Sequence, residues 1–296
     1  MKDIIYLKSF KYKENTMIKI MTDSTSDIDL EYAKKLNIEV VSLKVIFGQK
    51  EYKDRVDLQP EQFYDLLASS NSLPSTSQPS PQDYLDVYEK IKENKDTLIV
   101  ITLSSVLSGT YQSACIAKDL VDYENIYIID SLNATQGLRL IVEKAVQLRK
   151  NGLSVQEIIN VIEEYKTRVH IYAYVNTLEY FYKGGRLSKT SATVGTMLKL
   201  KPIVGLKNGT LDVFAKVRGA LKATTKVIDV IKEHGEIDLD EPISIGYTGD
   251  TSGLDKFENT LREEFGFDEV LHGYVGPVIG THAGPGARLI AYVTKR

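Results

Sequence analysis

The sequence predicts an α/β protein of two domains: an N-terminal three-layer domain around a parallel sheet, and a C-terminal domain around a mixed or antiparallel sheet. Two observations predict it. Through the first half, short apolar runs alternate with amphipathic helical stretches, which implies right-handed crossovers and parallel strands. The second half carries Asn208-Gly209 between two apolar runs, a hairpin signature that belongs to antiparallel pairing. With 296 residues the chain can hold one large or two medium domains and a substantial core.

The elements follow in order. Residues 18–22 form the first strand, 29–36 a short helix and 40–47 the next strand. Pro60 opens a helix over 60–68, since proline suits a first helical turn. In 83–92, Tyr84, Val87, Tyr88 and Ile91 share one helical face. The run 98–103 reads as a buried parallel strand, with a helix over 112–120 behind it, and 126–130 as another strand. Leu138, Ile141, Val142, Ala145 and Leu148 then make an apolar stripe. Gly152 closes that helix and Ser154 caps the next, which carries Val155, Ile158, Ile159 and Ile162. A domain boundary near Lys166 separates 17–165 from 166–296. Beyond it come a strand over 169–176, a hairpin of 203–206 and 211–214, and helices over 216–232 and 254–265. Strands over 243–247, 271–275 and 289–294 complete a sheet with helices on one face.

Composition narrows the function. Hydrophobic residues at 43% and charged residues at 26% are ordinary for a globular chain. A net charge of -3 gives no electrostatic case for nucleic acid or a membrane surface. The single Cys115 excludes an internal disulfide and a multi-cysteine metal site, and its helical position predicts a packed thiol. No apolar run reaches the roughly 18 residues of a membrane span. Residues 1–16 carry Lys2, Lys8, Lys11 and Lys13 without an apolar core, so they are not a signal peptide. They read as a flexible basic arm or as a start codon assigned too early, and the clean strand from Ile18 favours the second. The absence of targeting signals points to the cytoplasm.

The chemistry concentrates in polar turns. Ser104-Ser105-Val106-Leu107-Ser108-Gly109-Thr110-Tyr111 directly follows the run 98–103. A hydroxyl-rich turn between a strand end and a helix start offers backbone N–H and O–H donors together, the place for an anion in an open sheet. A plain Ser N-cap is the alternative, and Gly109 weighs against it by admitting a ligand close to the backbone. At 22–27, Ser24, Thr25 or Ser26 can bond a ligand, or the turn is a cap with Asp27 as N-cap of the next helix. Ser75–Pro81 reads equally as a linker and as a rigid loop presenting Thr76. Lys183–Lys189 is a tight turn before a helix capped by Ser188. No GxxxxGK[ST] loop occurs there, and Arg186 is its candidate residue. In 276–287, glycines and prolines hold His282, a donor for a carboxylate, unless the stretch is only a loop between strands. His170, His234 and His272 show no metal-ligand spacing. No general base, metal cluster or phosphate loop accompanies these turns, so the chain reads as one that holds an anionic group rather than transforms it.

Taken in order, these motifs resemble the DegV family of bacterial fatty-acid-binding proteins. The pattern is Thr22-Asp23-Ser24-Thr25-Ser26-Asp27, Thr76-Ser77-Gln78-Pro79 and Leu103-Ser104-Ser105 leading into Leu107-Ser108-Gly109-Thr110-Tyr111. Gly184-Gly185-Arg186-Leu187-Ser188, Lys201-Pro202-Ile203 and Thr281-His282-Ala283-Gly284-Pro285-Gly286-Ala287 follow, and together they cover nearly the whole chain from Met17. The resemblance implies a long-chain fatty acid such as palmitate buried between two α/β domains. It implies that Thr76 and Ser108 bind the carboxylate with His282 nearby, and that no further cofactor is needed. Ser24, Gly109 and Thr110 are secondary candidates. Some members carry the acyl group for a fatty-acid kinase, whose separate ATP-using subunit makes an acyl phosphate. In those members, arginines matching Arg186 and Arg218 belong to the partner-facing or phosphate-handling surface. A carboxylate held by neutral hydroxyls escapes the cost of bare burial and stays able to accept a phosphoryl group. The chain shows no ATP site of its own. The alternative is a serine hydrolase acting on an acyl ester through Ser108 and His282. Against it, no G-x-S-x-G elbow occurs and no acidic partner for His282 is marked. A transcription regulator would need a basic recognition helix, which the acidic balance opposes.

Overall fold

The computed structural model describes residues 17–187 and 200–296; the segment 1–16 and the helix expected after Ser188 lie outside them. In chain order the N-terminal part comprises β1 (Ile18–Asp23), α1 (Leu30–Leu36), β2 (Ile38–Val41), β3 (Lys44–Phe47), β4 (Lys50–Lys53), α2 (Pro60–Ser69), β5 (Ser75–Ser77), α3 (Pro81–Glu93), β6 (Thr97–Thr102), α4 (Thr110–Val121), β7 (Ile126–Asp130), α5 (Thr135–Lys150) and α6 (Val155–Tyr165). The remainder comprises β8 (Val169–Tyr174), α7 (Glu179–Lys183), β9 (Leu200–Lys207), β10 (Thr210–Arg218), α8 (Ala220–Glu233), β11 (Ser244–Tyr247), α9 (Leu254–Phe265), β12 (Leu271–Tyr274), α10 (Pro277–Ala283) and β13 (Arg288–Val293).

Two sheets organise the molecule. The first runs β2-β1-β6-β7 and is parallel throughout. The second runs β10-β9-β8-β13-β11-β12 and is antiparallel except between β11 and β12. The apolar stripe of α5 explains how they meet. Leu138, Ile141, Val142 and Ala145 share one core with Ile20 and Ile99 of the parallel sheet and with Ile171 and Leu289 of the mixed sheet. A helix covered on two sides needs an apolar surface wider than one stripe, and residues 135–142 of α5 are all buried. Tyr84, Tyr88, Ala114 and Ala117 of α3 and α4 close the outer face of the parallel sheet. Val227, Ile231, Phe257 and Leu261 of α8 and α9 close the outer face of the mixed sheet. The sheet's own helices therefore lie on one face, and α5 occupies part of the other.

Several expectations need correction. The strand expected over 40–47 is two strands in different sheets. The break falls at Leu43, whose N–H donates to the Ser24 hydroxyl at 3.1 Å. β3 then pairs antiparallel with β4 and β5, a three-stranded sheet that strands of three or four residues are too short to announce by periodicity. Ser75–Ser77 is thus an edge strand rather than a linker or a free loop. Residues 216–218 belong to β10, and the helix starts only after Gly219 at φ 82. Pro277–Ala283, expected as loop, is a helix with proline in its first turn. Asp27 does not cap α1. Asp29 does, accepting the N–H groups of Glu31 and Tyr32 at 3.0 and 3.1 Å. Cys115 is half-buried rather than packed away, and burial pushes its thiol pKa up.

The β9–β10 hairpin turns as expected. Asn208 and Gly209 both take positive φ, 50 and 77, as a type I′ turn demands. The tip reaches the N-terminal half, where the Ser104 hydroxyl donates to the Gly209 carbonyl at 2.9 Å in a buried position. A Cβ at Gly209 would collide with that hydroxyl. Replacing Gly209→Ala adds this clash to a left-handed backbone, and we expect a loss of about 1–3 kcal/mol in a urea unfolding curve.

Candidate ligand-binding site

A cavity of about 880 Å³, counting its open end, lies where the carboxyl edge of the parallel sheet faces the inner surface of the mixed sheet. Val204 and Leu206 of β9, Leu211 of β10, Ile171 and Ala173 of β8, and Leu289 of β13 form one wall. Leu103, Leu107 and Ala134 face them from the parallel sheet's edge, and Val278 and Ile279 of α10 close the side. The lining is largely aliphatic, so the cavity favours an apolar occupant.

Six polar side chains line it: Thr76, Ser108, Thr135, Arg186, Thr248 and His282. Thr76 sits mid-strand on β5, paired with Val45, so its direction is fixed. Its Oγ1 lies 2.9 Å from His282 Nε2. Burial, with the positive Arg186 nearby, pulls the His282 pKa down to about 4, so the ring is neutral near pH 7. His282 Nδ1 is buried without a partner. An orphan acceptor is tolerated better than an orphan N–H, so the proton belongs on Nε2, donated to Thr76. That leaves the Thr76 hydroxyl proton to point at a ligand. Gly184, in ordinary helical backbone at φ -75, makes room for the ring, since a Cβ there would overlap Nδ1.

Ser108 directly precedes the Gly109 N-cap of the 12-residue helix α4. Ser108 Oγ lies 2.9 Å from Thr110 Oγ1. Gly109 does not face the cavity. Its missing side chain makes room for the Gln78 amide, which itself donates to Ser113 Oγ at 3.0 Å. The close ligand approach expected at Gly109 is therefore taken by Gln78. Thr110 is buried and reaches the site through Ser108, and Ser24 is buried in its bond to Leu43, outside the lining. Arg186 Nε donates to the Leu107 carbonyl at 3.2 Å and Nη1 to that of Gly184 at 2.6 Å. Burial lowers the Arg186 pKa. Arg218 ends β10, exposed and away from the cavity lining. Ser108 and His282 each make their hydrogen bond elsewhere, to Thr110 and Thr76. Among the described residues, no group of three or more His, Cys, Asp or Glu side chains could hold a metal ion.

A second polar cluster borders the cavity and gives no signal in the sequence. Asp27 Oδ1 accepts the Gly276 N–H at 2.8 Å and Arg55 Nη2 at 2.9 Å, and Oδ2 accepts the hydroxyl of Thr135. Arg55 Nη2 also donates to the Tyr274 carbonyl at 2.6 Å. The neighbouring Asp54 is buried and pushed up to about 7, burial outweighing the pull of Arg55. Its oxygens make no well-aligned hydrogen bond, and the nearby Ser24 hydroxyl pulls the pKa only partly back down. Asp27 stands in the 22–27 motif, but nothing in Asp54-Arg55 marks a buried pair across the fold.

Residues 17–295 match the profile of the family described as "Uncharacterised protein, DegV family". The chain belongs to the DegV family. It is 38% identical over 278 residues to a DegV domain-containing protein of Caldanaerobacter subterraneus, covering 94% of this chain and 99% of that one. Its fold is similar to that of a DegV family protein from Thermus thermophilus described for its fatty acid binding, with a TM-score of 0.85 at 29% identity, covering 94% of this chain and 100% of the other. It is also similar to a stearic acid-binding protein from Eubacterium ventriosum, with a TM-score of 0.84 at 28% identity, covering 94% and 98%. The α/β architecture with a parallel and a mixed sheet is thus the DegV fold.

Two tests address the polar site. The His282 ring resonances should stay unchanged between pH 8 and about 5 in NMR spectra and move only near pH 4. Because the unfolded ring takes its proton near 6.5 and the folded one only near 4, His282 removes stability as pH falls through that window and none above it. Gly184→Ala leaves the helical backbone intact but displaces the ring. We expect a destabilisation of about 1–3 kcal/mol from the overpacked ring, together with loss of the depressed His282 pKa.

Proposed function

We propose that the chain binds a long-chain fatty acid, with the tail in the aliphatic cavity and the carboxylate at Thr76, Ser108 and His282. The observation that carries this reading is one largely aliphatic cavity whose lining includes Ser108 and the hydrogen-bonded pair Thr76 and His282. Each buried CH₂ contributes about 0.8 kcal/mol, so a C16 tail supplies a large gross driving force. The head must then keep its hydrogen bonds, or desolvation erodes that gain. Thr76, aimed by the neutral His282, and Ser108, just before α4, are suited to supply them. Relatives described as binding fatty acids support the same reading.

The role that fits such a site is carriage. The carboxylate rests on neutral donors, while Arg186 spends Nε and Nη1 on carbonyl oxygens. A carboxylate not locked to a guanidinium stays nucleophilic, so the bound acid can accept a phosphoryl group from a separate ATP-using kinase subunit. Arg186, at the polar end, and the exposed Arg218 are the residues we assign to that partner or to the phosphate. We assign the ligand to the space between an N-terminal half, 17–165, and a C-terminal half, 166–296, and a cytoplasmic location suits the role. A serine hydrolase would need Ser108 bonded to His282, and their hydrogen bonds run to other partners.

Extraction of the denatured protein with organic solvent, followed by mass spectrometry, should release a stoichiometric C14–C18 fatty acid. Thr76→Ala and Ser108→Ala should each weaken uptake of added fatty acid about tenfold, the loss of one hydrogen bond to a charged group. A protein that is empty and takes up none would refute the reading, and release of product from a chromogenic ester, lost in Ser108→Ala, would turn it towards hydrolysis.

A further inference from the structure

One end of the cavity is backed by an ion pair. α10 runs along the cavity for about 10 Å, at 1.5 Å per residue. His282, in its last turn, meets Thr76. At its other end the Gly276 N–H is bound to Asp27. There the inner surface is Thr135 and Val275, which line the cavity. Directly behind them stand Asp27, bonded to Thr135, and Arg55, bonded to Asp27 and to the Tyr274 carbonyl. Asp27, Arg55 and Tyr274 in turn line a separate cleft on the outer surface, together with Tyr32, Arg139 and His272. The partition between cavity and outer cleft thus has Thr135 and Val275 on its inner side and the Asp27–Arg55 pair on its outer side.

The partition is also held under strain. Asp27, Arg55 and Thr135 all have positive φ, at 56, 61 and 45. For a β-branched threonine this is a costly conformation that persists only where surrounding contacts over-determine it. Three strained residues meeting in one network mark a place where geometry outranks local preference.

We propose that the Asp27–Arg55 pair is the end stop of the acyl channel, fixing the longest chain the protein accepts. This rests on the fatty-acid reading above. A tail that reaches Thr135 gains nothing by pressing on. Separating a buried, hydrogen-bonded pair costs more than one further buried methylene returns. Chains short of the stop gain with each carbon, and chains beyond it must buckle.

The test uses the full chain, stripped of lipid and offered an equimolar mixture of saturated fatty acids from twelve to twenty-four carbons, with the bound fraction read by mass spectrometry. Arg55→Gly suits the left-handed backbone, and combined with Asp27→Asn it removes both charges while keeping an acceptor for Thr135 or Gly276. The wild type should show a sharp upper limit. The double variant should move that limit up by two carbons or more, raising the longer acid about tenfold relative to the wild-type optimum. If the double variant does not fold, Thr135→Ser decides, because it removes only a methyl from the inner face and should shift the limit the same way by less. A wild type that binds acids, beside folded variants with its unchanged chain-length profile, overturns the end stop alone. A wild type that takes up none of the acids overturns the fatty-acid reading and the end stop with it.

Discussion

The buried carboxylate of Asp27 ties together parts of the chain that are remote in sequence. It accepts from Arg55 in the β4–α2 connection, from Thr135 at the start of α5 and from the Gly276 backbone at the start of α10. Each of those segments contributes to the cavity or backs it. A charged group in a dry site is costly unless its lone pairs are used, and once they are used it is costly to rearrange. That asymmetry gives the cavity a rigid boundary where the two halves of the fold meet, and left-handed backbone at three positions follows from it.

Asp23 acts in the same way one turn earlier. It takes the Thr25 N–H and hydroxyl on one oxygen and the Leu103 N–H on the other, at 2.7 Å, so the ends of β1 and β6 are pinned together. Burial raises its pKa despite those bonds. The hydroxyl-rich turn that begins at Ser104 therefore starts from a fixed point, and Ser108 inherits that position. Polar residues at the carboxyl edge of the sheet first build the platform, and only a few of them face the ligand space.

Much of this architecture is legible in the order of the amino acids. Parallel and mixed sheets follow from the alternation of runs and from Asn208-Gly209, because long apolar periods and a specific turn chemistry each leave a strong local trace. Thr76, Ser108, Arg186 and His282 all stand out in their polar turns, and all four line one cavity. What the sequence does not show depends on contacts made across the fold. The β3–β4–β5 sheet is built of strands too short to carry a period. Gly109 and Gly184 look like sites of backbone freedom or ligand approach, yet each vacates space for another side chain, Gln78 in one case and His282 in the other. The Asp27–Arg55 pair joins residues 28 positions apart with nothing in either motif to announce the other.

The hairpin tip at Gly209 couples two walls of the cavity. Its carbonyl is latched to Ser104, so the β9–β10 arm, which supplies Val204, Leu206 and Leu211 to the cavity wall, is fastened to the very turn that carries Ser108. Breaking that one bond therefore loosens the wall and the Ser108 turn together.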